Sequence, residues 1–238
     1  YEAARQLLSI IEASWTPITN STERLTICCS AQCYGQADVR DIDILLLFRA
    51  ETPRRIMLPS RSGVQHLPRD IRVESLCIAI EVKDHDANGL RITGNGEVDV
   101  HYRDGWSSAS EQNRKQKTAV RDFLARKNVR SPFVVNVLWL RGIADASLPT
   151  QPNNLVGADA NWGRFVEAVL SQAQVKFNRG FNVLRAADRT ATIDIVRQIF
   201  TQNVTPTTLD RRKLEALVRE HAGLEVQRAQ GGTQVIYR

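Results

Sequence analysis

The sequence predicts an α/β fold, on three observations. Four apolar runs of strand length, at 24–32, 41–48, 75–83 and 132–140, are spread through the first 140 residues. A segment at 107–127 carries apolar residues at the helical period instead. And 238 residues with 42% hydrophobic and 24% charged content suffice for one large core, with room for a small second module.

The elements follow in order. Residues 3–14 (AARQLLSIIEAS) place Leu7, Leu8, Ile10 and Ile11 in a helical stripe, closed by Pro17 and Asn20. "RLTICCSAQ" (24–32) and "DIDILLLF" (41–48) read as strands, the second passing from polar to solidly apolar. Residues 49–72 are polar and Arg-rich with three prolines, and are expected to form a long loop or insertion. "SLCIAIEVK" (75–83) is a third strand. Glycines at turn positions in 88–105 bracket alternating residues, giving one or two short strands. In the helix at 107–127, Ser108 and Glu111 form a capping box. Gln112, Gln116, Ala119, Val120, Phe123 and Leu124 are assigned to one face of it. "PFVVNVLWL" (132–140) is the next strand.

The polar segment 146–154 is the expected domain boundary, dividing a domain at 1–145 from a C-terminal helical module at 155–238. That module is expected to hold helices near 160–175, 190–202 and 208–221 and to end in a β-hairpin across Gly231–Gly232. Helix, helix and hairpin in that order resemble a winged-helix unit with Arg211, Arg212, Lys213 and Arg219 on its second helix. A helical cap or a linker to a further domain is the alternative.

The formal charge of +6 favours an anionic partner. Lys occurs at only six positions, leaving 26 of the 32 cations to Arg, whose planar fork suits phosphate. Arg54, Arg55, Arg61, Arg69 and Arg72 are candidates for contact with a DNA backbone, against a plainly solvated loop. Cys28, Cys29, Cys33 and Cys77 show no metal-binding spacing, and three of them fall in apolar runs. Reduced thiols and the lack of a transmembrane run lead to an expected cytoplasmic setting with no membrane partner. With Tyr at position 1, the chain is expected to be a piece of a longer protein.

The chemistry centres on residues 78–83. Side chains alternate along a strand, so Ala79, Glu81 and Lys83 share one face while Ile78, Ile80 and Val82 share the other. Asp41 and Asp43 likewise share a face where their strand turns apolar. If the two strands are neighbours, Asp43, Glu81 and Lys83 meet at one edge of the sheet. Two carboxylates there can hold Mg²⁺ or Mn²⁺ against a phosphate oxygen, and a Lys can steady the charge. A strand-end salt bridge between Glu81 and Lys83 is the alternative. Gln112, near a helix N-terminus, is expected to face inward and bond a water or a phosphate, or else to serve as a buried cap.

Together "DIDILLLF", "IEVKDH", the glycine-rich segment ending at Trp106 and "SASEQ" ending at Gln112 resemble the nuclease-related domain (NERD) family of the PD-(D/E)xK superfamily. The resemblance covers roughly 1–140. It implies a restriction-endonuclease-like mixed central sheet flanked by helices. It also implies catalytic roles for Asp43, Glu81, Lys83 and Gln112 and a metal held by Asp43 and Glu81. Glu2 is the candidate for the family's helical Glu, as a further metal ligand, with Glu12 second. The 38-residue separation of Asp43 and Glu81 and the missing Asn-Pro before Gln112 depart from the family pattern.

The expected function is a Mg²⁺- or Mn²⁺-dependent DNA endonuclease domain within a larger DNA-processing or defence protein. The alternatives are a catalytically silent DNA-binding or regulatory module, or a recognition part of a larger machine. A helicase or NTPase is the expected partner, and because no phosphate-binding loop of the G-x-x-x-x-G-K-[ST] type occurs, it lies outside this chain. Self-association is left open. His85 and His101 are expected at the surface, with a proton-shuttle role as the alternative, and Trp106 in a packing role.

Overall fold

The computed structural model describes residues 2–14, 24–33, 41–57, 70–128, 134–149, 154–173, 183–185, 224–229 and 232–237. Their order is α1 (Glu2–Ser14), β1 (Arg24–Gln32), β2 (Asp41–Met57), β3 (Asp70–Lys83), β4 (Leu90–Ile92), β5 (Val98–Tyr102), β6 (Gly105–Ser108), α2 (Ala109–Arg126), β7 (Val134–Leu140), β8 (Leu155–Gly157), α3 (Trp162–Ala173), β9 (Val183–Arg185), β10 (Leu224–Ala229) and β11 (Gly232–Tyr237).

The main sheet runs β10-β11-β1-β2-β3-β7-β8, with β9 also paired to β3. Pairing is antiparallel from β10 through β3 and parallel for β3–β7, β7–β8 and β3–β9. The architecture is thus mixed α/β with a mixed central sheet. A parallel step requires a long crossover; here β4, β5, β6 and α2 lie between β3 and β7, and the three short strands form a second sheet.

Alternation along the strands builds two apolar layers. Leu7, Leu8 and Ile11 of α1 and Phe165, Val166 and Val169 of α3 pack with Ile44, Leu46, Ile78, Ile80, Val135 and Val137. Ala119, Val120, Phe123 and Leu124 of α2 join Leu45, Leu47, Cys77 and Ala79. Each fully buried Leu or Phe in these layers contributes about 1.5–3 kcal/mol. Burial pushes the thiols of Cys33 and Cys77 up to about 12, so both stay protonated as small hydrophobes, as the sequence suggested for Cys77.

Two expectations are corrected. The stretch 49–72 is not simply a long loop: β2 continues to Met57 and β3 begins at Asp70, and the two strands pair as far as Met57↔Asp70. The ladder shifts register between Arg49 and Arg54, and Pro53, which has no amide hydrogen to donate, falls inside that shift. Arg54, Arg55 and Arg72 lie on these strands; Arg61 and Arg69 lie outside the described residues.

The polar break at 146–154 does not separate two packed bodies at its two ends. β8 extends the main sheet beside β7, and α3 enters the α1 side of the core. Buried Asp145 accepts a hydrogen bond from the Gly157 amide (3.0 Å) and one from Arg164 Nε (2.7 Å), joining the two sides of the break. A Cβ at Gly157 would stand 2.3 Å from Asp145 Cα, so only glycine fits that approach. β10 and β11 form the expected terminal hairpin, and β11 pairs with β1. The helices expected at 190–202 and 208–221 lie outside the described residues. Among the described residues no helix is long and apolar enough to cross a membrane.

Candidate active site

The site forms where β2 begins and β3 ends, beneath the first turns of α2. Ile44 is paired with Ile80, and one further step in that antiparallel register sets Asp43 opposite Glu81. Cross-strand partners share a face, here the α2 face. The ladder stops at this point because the Asp43 side chain takes over: its Oδ2 accepts the Val82 amide at 2.8 Å.

Five influences act on Asp43. Burial pushes its carboxyl up to about 7, the Glu81 carboxylate adds to that rise, and the Val82 amide and the Lys83 charge oppose it. A direct hydrogen bond between the two carboxyl groups raises it further. Two carboxylates this close cannot both ionise cheaply without a cation.

Glu81 and Lys83 are only 2% and 6% exposed, which rules out an ordinary solvated strand-end pair. Lys83 Nζ donates to Glu81 Oε1 at 2.5 Å, to the Tyr102 hydroxyl at 2.8 Å and to Gln112 Oε1 at 3.2 Å. Burial works against the ammonium, but the Glu81 charge and the bonds to Glu81 and Tyr102 outweigh it and hold the Lys83 pKa above the usual lysine value.

The other Glu81 oxygen is held by Gln116, whose Nε2 donates to Oε2 and also to the Asp41 carbonyl (3.3 Å). Gln116 in turn accepts from Asn113 Nδ2 at 3.4 Å. Asn113 Oδ1 accepts from Asn136 Nδ2 of β7 at 2.8 Å and from Asn154 at 3.2 Å. A buried polar chain thus runs from β7 under α2 to the carboxylate pair. Such a chain is tolerable in a core only when its members find partners.

The structure brings Asp43, Glu81, Lys83 and Gln112 together. It places Gln112 differently from the inward position expected: the residue is exposed and only its amide oxygen reaches Lys83. The buried stripe of α2 runs through Ala109, Asn113, Gln116, Val120 and Phe123, and Gln112 flanks it. Ser108 caps α2 as expected, its Oγ accepting from the Glu111 amide at 3.3 Å.

Glu2 is not brought to the carboxylate pair. Its exposed side chain accepts from Arg141 Nη2 at 2.9 Å, and Arg141 also pairs with Asp84 at 2.8 Å. The cause is α1, whose apolar stripe packs on the face of the sheet opposite Glu81. Glu12, the second candidate, lies one turn beyond Leu8 on the same helix. Among the described residues no group of three or more His, Cys, Asp or Glu side chains gathers for a metal.

Tyr102 and Gln116 are the residues that sequence reasoning left out of the site. Gln116 carried a signal, being a polar residue on a stripe that is otherwise apolar. Tyr102 carried little, since its role depends on how β5 packs against the end of β3. His101 and Trp106 lie on the outer face of the small sheet, with ring centroids 4.9 Å apart, and Arg91 stacks over Trp106 at 3.8 Å. Comparisons with protein families, with curated proteins and with solved structures gave no match.

The donor set fits a divalent cation. Two facing carboxyl oxygens from adjacent strands are hard ligands of the kind that Mg²⁺ and Mn²⁺ take. The raised Asp43 carboxyl marks a place where one more positive charge is favourable.

Proposed function

We propose that this chain carries a Mg²⁺- or Mn²⁺-dependent nuclease domain of the PD-(D/E)xK kind, resembling the nuclease-related domain family and acting on DNA. The supporting observation is the facing pair of half-buried Asp43 and buried Glu81, with the Lys83 ammonium on the same strand face as Glu81. Asp43 and Glu81 would hold the metal. When bound, it supplies charge to offset that of the phosphate and eases deprotonation of a water.

The residues of the chain do the rest. Gln116 fixes the Glu81 carboxylate from behind, which keeps its free lone pairs aimed at one place. Lys83 is a fixed positive charge beside that place and stabilises charge growing on the phosphoryl oxygens. The Arg-rich composition supplies phosphate contacts along the backbone. Attachment to a helicase or NTPase outside this chain and a cytoplasmic role in DNA processing or defence complete the proposal.

A second reading, a silent DNA-binding module, draws on the 2.5 Å contact that already engages Lys83 with Glu81. Incubation with supercoiled plasmid in Mg²⁺, in Mn²⁺ and in EDTA separates the two. Cleavage in either metal, abolished by EDTA, supports the nuclease. Plasmid binding without cleavage under all three conditions supports the silent module.

A further inference from the structure

A lysine ammonium has three N–H donors. Lys83 has three acceptors, and they are unequal in kind. Glu81 is buried and charged at 2.5 Å; the Tyr102 hydroxyl lies at 2.8 Å; Gln112 is exposed, neutral and the most distant at 3.2 Å. Substrate can reach the ammonium only by taking the place of one of them. Tyr102 is exposed as well, so length sets the order: the Gln112 bond, at 3.2 Å against 2.8 Å, is the weakest of the three and exchanges first.

The Tyr102 bond is braced. His85 packs edge-on against the Tyr102 ring, with centroids 5.3 Å apart at 81°. His85 itself is wedged. A Cβ on Gly142 would meet the His85 carbonyl oxygen at 2.0 Å, and one on Gly89 would press its ring at 3.3 Å. Two glycines therefore let the chain close around His85, His85 fixes Tyr102, and Tyr102 fixes Lys83. The buried His85 Nδ1 has no hydrogen-bond partner, so packing rather than polar bonding explains its place.

We infer that Tyr102, braced by His85, is a positioning residue for the Lys83 ammonium, and that Gln112 is the exchangeable partner that an incoming phosphate oxygen or water displaces. The displacement half of this inference rests on the nuclease reading; the brace does not.

The test combines amine labelling with kinetics. Reductive methylation with formaldehyde and a borohydride, read by mass spectrometry, reports how free the Lys83 amine is, with exposed Lys115 as the internal standard. Tyr102→Phe and His85→Ala are each expected to raise Lys83 labelling relative to Lys115 by about 10-fold, the scale of one hydrogen bond to a charged group. His85→Phe, which keeps a ring against Tyr102, should stay near wild type. In plasmid cleavage, Tyr102→Phe should lower kcat by about 10-fold with KM little changed, whereas Gln112→Ala should show its effect in KM, lowered by about threefold because the phosphate no longer has a partner to displace. Wild-type labelling in both Tyr102→Phe and His85→Ala overturns the brace. A kcat in Gln112→Ala lowered as far as in Tyr102→Phe, or a raised KM, overturns the exchange. If wild type cuts no plasmid, the nuclease reading and the exchange fail, while the labelling still decides the brace.

Discussion

Removing the Lys83 amine tests whether its partnership with Glu81 is a buried one with work to do. A solvated ion pair at a strand end is worth about 1 kcal/mol or less and weakens with salt. The Glu81–Lys83 pair is different, with side chains only 2% and 7% exposed and 2.5 Å between charges. Lys83→Met leaves the Glu81 carboxylate buried beside Asp43 without its counter-charge. Breaking such a pair from one side costs about 3–5 kcal/mol. The bond from Gln116 remains and softens the loss, so the lower end, about 3 kcal/mol, is expected. For a chain of this size that is about 6–12 °C in Tm. The double variant Glu81→Gln/Lys83→Met removes the stranded charge and should recover most of the loss. Urea unfolding at two salt concentrations provides the assay. A loss under 1 kcal/mol that shrinks further with salt would refute a buried pair, as would a double variant no more stable than the single one.

Other consequences follow from single contacts. Asp43 binds its proton more tightly when folded, at about 7, than at the ordinary 3.8. The folded chain then holds more protons than the unfolded one between those values, and stability falls as pH rises from about 4 to about 7. Urea melts at pH 5 and pH 8 should show that fall, Asp43→Asn should flatten it, and Mn²⁺ at pH 8 should offset it by binding the folded state; a flat wild-type profile would remove the raised carboxyl from the account. Gln116→Leu is expected to lower plasmid cleavage by about 10-fold or more by freeing the Glu81 carboxylate, more than Gln112→Ala does, and the reverse order would mean that Gln112 is the important amide. Gly157→Ala should destabilise by more than 2 kcal/mol, an order set by overpacking against backbone, because its Cβ would meet Asp145 Cα at 2.3 Å; a Tm within 1 °C of wild type would show that the β8 turn yields.

Much of this was legible because strand alternation acts locally. Glu81 and Lys83 two apart in an apolar run must share a face, and Asp43 at the polar start of another apolar run must end near a sheet edge. The α2 start was legible from Ser108 and Glu111, whose capping geometry is short-range. The extension of β2 and β3 through 49–57 and 70–74 was not, since backbone ladder bonds are available to any non-proline residue and polar residues with Pro53 carry no strand pattern. β8, only three residues long, gave no periodicity to read. The inward amide was misassigned by one turn: Gln112 and Gln116 are four apart, and only packing against β3 decides which of them is covered. Tyr102 was invisible for the same reason, since the β5–β6 hairpin had to fold back onto the end of β3 before its hydroxyl could find Lys83.

The most direct test of the central claim is the rate of plasmid nicking in Mn²⁺ by wild type and by Glu81→Gln from matched preparations. Glutamine keeps the size of the side chain and can still bond Lys83, but it removes the charge that would hold a metal. The expected result is metal-dependent nicking by wild type and a loss of at least about 10²-fold in Glu81→Gln, the size of losing one preorganised electrostatic group. Equal nicking by the two proteins, or none by wild type in either Mn²⁺ or Mg²⁺, would contradict it.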